Sequence, residues 1–242
     1  MDKMPNRISS DVPTEQKTLG YINIEAKTPV VPYNHVDIGL KLGLIDIASA
    51  SKISGTSWYF LMGDAVALEL ALVQYAMSKA RKRGFINIMP PSIVKQEVAH
   101  ACGFKPRDLN GEQQIYNLAF QGAELCLTGT AEIPLAGWGI NKVFDANMKG
   151  DDIPVKLVGV NRSYRAEAGA RGADTKGLYR VHEFTKVELF AYVKGEDTIS
   201  QKMLEEILDL QKEIIQDLGL CARILILPAD DLGNPAYKKY DI

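Results

Sequence analysis

The apolar positions of this chain change period several times, and each change predicts an element. Residues 1–33 are polar and carry Pro5, Pro13, Pro29 and Pro32, which predicts an extended linker or partly ordered arm. Over residues 35–50, Val36, Leu40, Leu44 and Ile47 recur at three- and four-residue steps, the period of a helix. Residues 58–62 read as a short strand. Asp64 is placed to cap a long helix that reaches Arg83 and stops at Gly84. Leu68, Ala71, Leu72, Tyr75 and Ala76 share one face of it. A strand at 85–89 ends in Pro90-Pro91, and a short helix is expected over 92–101. Residues 114–118 and 125–128 read as neighbouring strands, and 130–140 as a helix with Thr130 as its cap. Residues 196–218 carry a stripe of Ile199, Met203, Ile207, Leu210, Ile214 and Leu218, again helical. A buried strand follows at 225–227, and another begins at Tyr240.

The stretch from Val155 to Val193 is the strongest pattern. Apolar and β-branched residues on both sides of a Gly- and Ala-rich centre predict a long antiparallel hairpin with strands over 154–167 and 179–193. Residues two apart on a strand share a face. Arg165 and Glu167 are therefore expected to point one way, as are Phe184 and Glu188, with His182 before them and Lys186 between. If the two faces coincide, one surface carries an arginine, two carboxylates and an aromatic ring. Such a surface can hold an anion, an amine and a flat heterocycle together. The plainer alternative is a solvated strand face with Phe184 in the core.

Composition narrows the class. The 242 residues suffice for one substantial domain or two small ones. Hydrophobic residues make up 46% and charged residues 24%, ordinary for a globular protein. A net charge of -2 gives no global basic field for nucleic acid, so any such contact must be local. Cys102, Cys126 and Cys221 lie far apart, and with only three histidines no metal-binding spacing is present. No apolar run reaches the ~18 residues of a membrane span, and the N-terminus lacks signal- and transit-peptide patterns.

Two runs carry a resemblance. Arg165-Ala166-Glu167-Ala168-Gly169, with 174–188 (Asp174-Thr175-Lys176-Gly177 onward through His182-Glu183-Phe184 to Glu188), resembles the second signature motif of the class II aminoacyl-tRNA synthetases, specifically the seryl-tRNA synthetases. Thr128-Gly129-Thr130-Ala131-Glu132 resembles the serine-binding loop of that family. Two long matches are far more specific than one short pattern. The helix and strand ending at Pro90-Pro91 resemble the first class II motif, which in the family builds a homodimer interface. The resemblance implies an α+β fold, an antiparallel sheet flanked by helices, with 34–242 as the catalytic domain's first part. It also implies that the third motif, with its γ-phosphate arginine and a metal-binding glutamate before it, would lie beyond Ile242.

By the same resemblance, Arg165 bridges the α-phosphate of ATP and the carboxylate of serine, the one catalytic position. Glu167 accepts from the adenine amino group and Phe184 stacks on the ring, with Ala166 and Val181 completing the nucleotide site. Thr130, Ala131, Glu132, Arg165 and Glu188 surround serine, and either carboxylate can take the ammonium or the hydroxyl. Arg171 and Lys176 contact tRNA(Ser). ATP and Mg²⁺ are implied, and no metal ligand is assigned to this chain. The pattern from Ala168 to Gly172 with Tyr179 to Phe184 looks most like the fungal mitochondrial branch, so mitochondria are expected over the cytoplasm. Many relatives carry Arg where Ala173 stands. The rival expectation is a non-catalytic paralogue serving as a dimerisation or tRNA-contact module.

Overall fold

A computed structural model describes residues 4–25, 32–103, 115–120, 122–144, 154–167 and 177–242. These fall into two compact units. One contains residues 4–25, 101–103 and 193–242, the other the remainder.

In the first unit, β1 (Lys17–Ile22) pairs antiparallel with β10 (Ala222–Ile226), which pairs with β11 (Tyr240–Asp241). Helix α6 (Asp197–Asp217) lays Leu208 against Ile22 and Ile224, with Ile215, Ala222 and Tyr240 around them. The segment expected to be an extended arm thus contains a strand, because its apolar Ile22 finds a partner in a strand some 200 residues later. Local polarity gave no sign of that pairing.

The second unit is built on the predicted hairpin. Strands β8 (Val155–Tyr164) and β9 (Glu183–Tyr192) pair over ten residues, from Val155 opposite Tyr192 to Tyr164 opposite Glu183. Strand β4 (Ile86–Ile88) joins β8 in parallel, and the other strand pairings among the described residues are antiparallel. A second sheet orders β5 (Ile93–Lys95), β7 (Ala123–Leu127) and β6 (Asn117–Phe120). The expected α+β class with antiparallel sheets and flanking helices is what forms.

Helix α3 (Asp64–Lys82) packs on one face of β8 and β9. Its cap is Gly63, with no side-chain hydrogen bond, so Asp64 serves as a first-turn carboxylate at the positive helix end instead of a cap. The helix expected over 35–50 divides. Helix α1 (His35–Lys41), capped by Asn34, ends before Gly43, which takes φ +67. After the short β2 (Ile45–Asp46), Asp46 caps α2 (Ile47–Ser54) by accepting from Ser49 N at 2.8 Å. β2 pairs with β3 (Phe60–Leu61). The region 92–101 opens as strand β5 before α4 (Gln96–Ala101), because 93–95 have β7 to pair with.

The other face of the hairpin receives α5 (Glu132–Gly137). Leu135 and Ala131 pack with Leu157, bordered by Ile88, Val155, Phe190 and Tyr192. Gly159 permits this approach: a Cβ there would lie 3.2 Å from Leu135 Cδ1 and 3.5 Å from Pro90 Cδ. Tyr192 ties the helix down by donating its hydroxyl hydrogen to the carbonyls of Leu135 (2.6 Å) and Ala136 (2.9 Å).

Candidate functional site

Cross-strand register sorts the hairpin into two faces. Gly159, Asn161 and Ser163 lie opposite Glu188, Lys186 and Phe184, so these six share the face that receives α5. Val160, Arg162 and Tyr164, opposite Val187, Thr185 and Glu183, share the α3 face.

The loop before α5 is fixed to β8 by buried polar groups. Thr128 N donates to Ser92 O at 2.9 Å, and Tyr164 N donates to Thr128 O at 2.8 Å. Asn161 Nδ2 donates to Thr128 Oγ1 at 3.0 Å, and Ser163 donates to Asn161 Oδ1 at 3.3 Å. Thr128, Asn161, Ser163 and Thr130 are all buried, so each bond avoids the cost of an unpaired buried dipole. The result holds Thr130 against the even-numbered face of β9.

There Ala131 takes the cap position of α5, and Thr130 Oγ1 accepts from Glu132 N at 3.4 Å. Its hydroxyl donates to Glu188 Oε2 at 2.7 Å and accepts from Lys186 Nζ at 2.9 Å, while Lys186 and Glu188 form an ion pair at 2.7 Å. Glu132 stands beside this cluster in the first turn of α5. Its side chain reaches solvent, yet protein crowds its carboxyl. That desolvation first, and the charge of Glu188 second, raise its pKa, with Lys186 offsetting part of the rise. Two carboxylates and one ammonium leave the cluster one negative charge in excess.

Toward the open end of the hairpin, the Arg165 guanidinium lies 5.1 Å from the centre of the Phe184 ring, a cation–π distance. Glu167, at φ +49, has left the strand geometry, and its carboxylate pairs with Arg180 Nη1 at 3.2 Å. Arg165 and Glu167 therefore do not extend the strand alternation, since β8 ends at Tyr164. Ala166 is half-buried and Val181 is buried just before β9. Arg171 and Lys176 lie outside the described residues.

Several supporting contacts come into view only in the structure. His182 O accepts from Arg165 N at 2.9 Å, its Nδ1 lies 3.0 Å from Arg165 O, and Tyr116 OH reaches the same Nδ1 at 2.8 Å. Trp58 stacks on the imidazole at 5.5 Å. His35 Nε2 accepts from Leu178 N at 3.0 Å, and its ring meets Tyr179 edge-on at 4.3 Å. Gly177 makes room for that ring: its φ is +74, and a Cβ would fall 2.3 Å from His35 Nε2. Lys186 had a visible signal, the period-two spacing with Phe184 and Glu188. His35 opens a run, His35 to Gly39, that resembles the start of the family's catalytic domain, whereas Trp58 and Tyr116 had no such signal, because each comes from a remote segment.

Residues 116–242, more than half the chain, match the family described as the tRNA synthetase class II core domain (G, H, P, S and T). The chain belongs to the class II tRNA synthetase core family. Within that family it is similar to the mitochondrial serine–tRNA ligase of Saccharomyces cerevisiae, 52% identical over 241 residues, covering 99% of this chain and 53% of that protein. The serine–tRNA ligase of Borrelia garinii subsp. bavariensis is 36% identical over 245 residues, covering 99% and 55%. Among solved structures, the seryl-tRNA synthetase of Pyrococcus horikoshii complexed with ATP superposes with a TM-score of 0.85 at 32% identity, covering all of this chain and 57% of that one. This class II chain spans about half the length of the curated relatives it matches.

Proposed function

We propose that the chain carries serine-activating machinery of a serine–tRNA ligase, which joins L-serine to ATP as seryl-adenylate and passes the seryl group to tRNA(Ser). The observation that carries this reading is the Thr130–Lys186–Glu188 cluster beside Glu132, on the same strand as the Phe184 ring that Arg165 covers. One face of the hairpin thus offers acceptors for a small amino alcohol next to a platform for a base. The resemblance of the chain to serine–tRNA ligases, one of them solved with ATP, agrees with it.

In this reading, adenine stacks on Phe184 between Ala166 and Val181, and Glu167 accepts from its amino group. Arg165 bridges the α-phosphate and the serine carboxylate. A guanidinium suits that task because it bonds two oxygens at once and stays charged as the phosphoryl oxygens gain charge. Thr130, Ala131, Glu132 and Glu188 enclose serine. Lys186 divides the work of the two carboxylates: Glu188, already ion-paired, is left to accept from the hydroxyl, and Glu132 takes the ammonium, which cancels the excess negative charge. Alanine would leave Glu188 with an unmet acceptor, a basis for rejecting it.

Among the described residues no group of three or more His, Cys, Asp or Glu could hold a metal ion. Mg²⁺ in this reading arrives with ATP and neutralises phosphate charge. Arg171 and Lys176 are assigned to the acceptor end of tRNA. The exposed apolar surface of α3, with Leu68 (60% accessible) and Leu72 on one flank and Leu70 (62%) on the other, is assigned to a second copy of the chain. Residues 34–242 form the synthetase catalytic part, and 1–33 lead into it. The identity to a yeast mitochondrial ligase supports the mitochondrial matrix over the cytoplasm, which imaging of the tagged natural gene product would check. No helix among the described residues is long and apolar enough to cross a membrane.

The second reading, a non-catalytic dimerisation or tRNA-contact module, is favoured by the same apolar face. Serine-dependent ATP–pyrophosphate exchange, run on the natural gene product with the other proteinogenic amino acids as controls, separates the two. Exchange with serine alone supports the ligase. No exchange with any amino acid, together with tRNA retention or self-association, supports the module.

A further inference from the structure

The face of the hairpin turned away from the substrate cluster holds a second polar network, which the proposed chemistry does not use. Arg162 is its centre. Its Nε donates to Glu183 Oε1 at 2.9 Å, and its Nη1 donates to Thr185 Oγ1 at 2.6 Å and to Glu69 Oε1 of α3 at 3.2 Å. The Thr185 hydroxyl, accepting from Arg162, donates in turn to Glu69. Tyr164 OH donates to the same Glu183 oxygen at 2.9 Å. The side chains of Arg162, Glu69 and Glu183 are part-buried.

The place of these partners gives the network a purpose. Glu183 and Thr185 are the two residues flanking Phe184, and alternation turns Phe184 to the opposite face. Glu183 is also the first residue of β9, where a strand is prone to fray. A rigid fork that grips both flanking side chains and fixes them to a 19-residue helix sets the pleat at Phe184. We infer that Arg162 is a positioning residue for the nucleotide: from behind the sheet it holds Glu183 and Thr185 so that Phe184 keeps the pose in which Arg165 covers its ring. The inference rests on the reading of Phe184 as the adenine platform. The serine cluster does not depend on it, because Lys186, Glu188 and Thr130 are held further along β9 and by the Asn161–Thr128 bond.

The test uses the natural gene product, with Arg162→Met, Arg162→Lys and Thr185→Val. Exchange kinetics with ATP and serine varied separately are compared with AMP affinity by calorimetry. Arg162→Met is expected to raise KM for ATP and Kd for AMP by about fivefold, a partial loss of stacking. KM for serine should move by less than about twofold. Arg162→Lys should recover little, since an ammonium cannot grip two acceptors and a helix carboxylate with fork geometry. Thr185→Val should shift the same two constants in the same direction, and it decides the matter if Arg162→Met does not fold. Unchanged ATP and AMP constants, or ATP and serine constants that rise together with a falling Tm, would overturn the inference. If the unmodified protein binds AMP but shows no serine-dependent exchange, the serine reading fails while AMP affinity still judges Arg162. If it binds no AMP, the nucleotide reading and this inference fall together.

Discussion

At the scale of single residues, Glu132 offers a pH signature. Crowding by protein and the neighbouring charge of Glu188 raise its pKa from the ordinary carboxylate value, against the partial offset of Lys186. The folded chain therefore holds that proton more tightly than the unfolded chain does. Its contribution to stability is present below the unfolded pKa and is lost as pH rises through the folded one. An ammonium needs the ionised form, so serine affinity is expected to rise with pH through that window and then level off, with a proton released on binding. Calorimetry in buffers of different ionisation enthalpy would measure that proton, and Glu132→Gln should abolish both effects. Identical pH profiles for the two proteins would remove Glu132 from the ammonium site. Phe184 makes a complementary case. Its replacement by Ala removes a stack worth ~1–3 kcal/mol, so KM for ATP should rise about tenfold or more. Serine's KM should stay near its original value, and the reverse split would mean that the β9 face is misassigned.

At the scale of elements, the hairpin supports two different jobs on its two faces. One face seats α5 and the Thr130–Lys186–Glu188 cluster; the other meets α3 through Arg162 and Glu69. Gly159 is a point of close approach in the first packing. Gly159→Val would drive two methyl groups toward Leu135 and Pro90, and overpacking of this kind costs ~1–3 kcal/mol. Because α5 carries Glu132, the strain should show twice, as a lower urea midpoint and as a higher KM for serine with KM for ATP less affected. A variant with unchanged stability would mean that α5 shifts freely on the sheet. The long hairpin, α3 and α6 were legible because their periods run for ten or more residues. The division of 35–50 was not, since a helical spacing of apolar residues persists across the break at Gly43 while Asp46 restarts the helix. Strand β5 was hidden for a related reason: residues 93–95 have their partner in β7, about thirty positions away.

At the scale of the molecule, the apolar residues left outside are as informative as those within. Leu68, Leu70 and Leu72 of α3, with Phe60, Met62, Ile86 and Met89 nearby in sequence, are exposed in the single chain. A surface of this kind invites a partner. Leu70→Glu is expected to convert a sedimenting dimer into a monomer while leaving the circular dichroism unchanged, because Leu70 is 62% accessible and contributes little to the chain's own core. A wild-type chain that sediments as a monomer at high micromolar concentration would show that the face has another occupant.

The sequence by itself determined the class of fold, the hairpin and the identity of the residues on its α5 face. Periodicity two places Phe184, Lys186 and Glu188 together whatever else the chain does, and the Thr130-Ala131-Glu132 and Arg165-Ala166-Glu167 runs carry the family pattern in their own letters. Only tertiary structure decided which charges meet. Glu167 pairs with Arg180 and not with Arg165, whose guanidinium turns to Phe184. Thr130 donates to Glu188 while still accepting from Glu132 N at 3.4 Å, and Lys186 becomes the counter-charge of Glu188. The physical reason is range. Strand alternation acts between neighbours and is written locally, whereas a hydrogen bond or ion pair depends on where loops, register and helix packing bring groups that are dozens of residues apart. The bonds that hold His182 between Trp58 and Tyr116, and Arg162 against Glu69, are of this second kind.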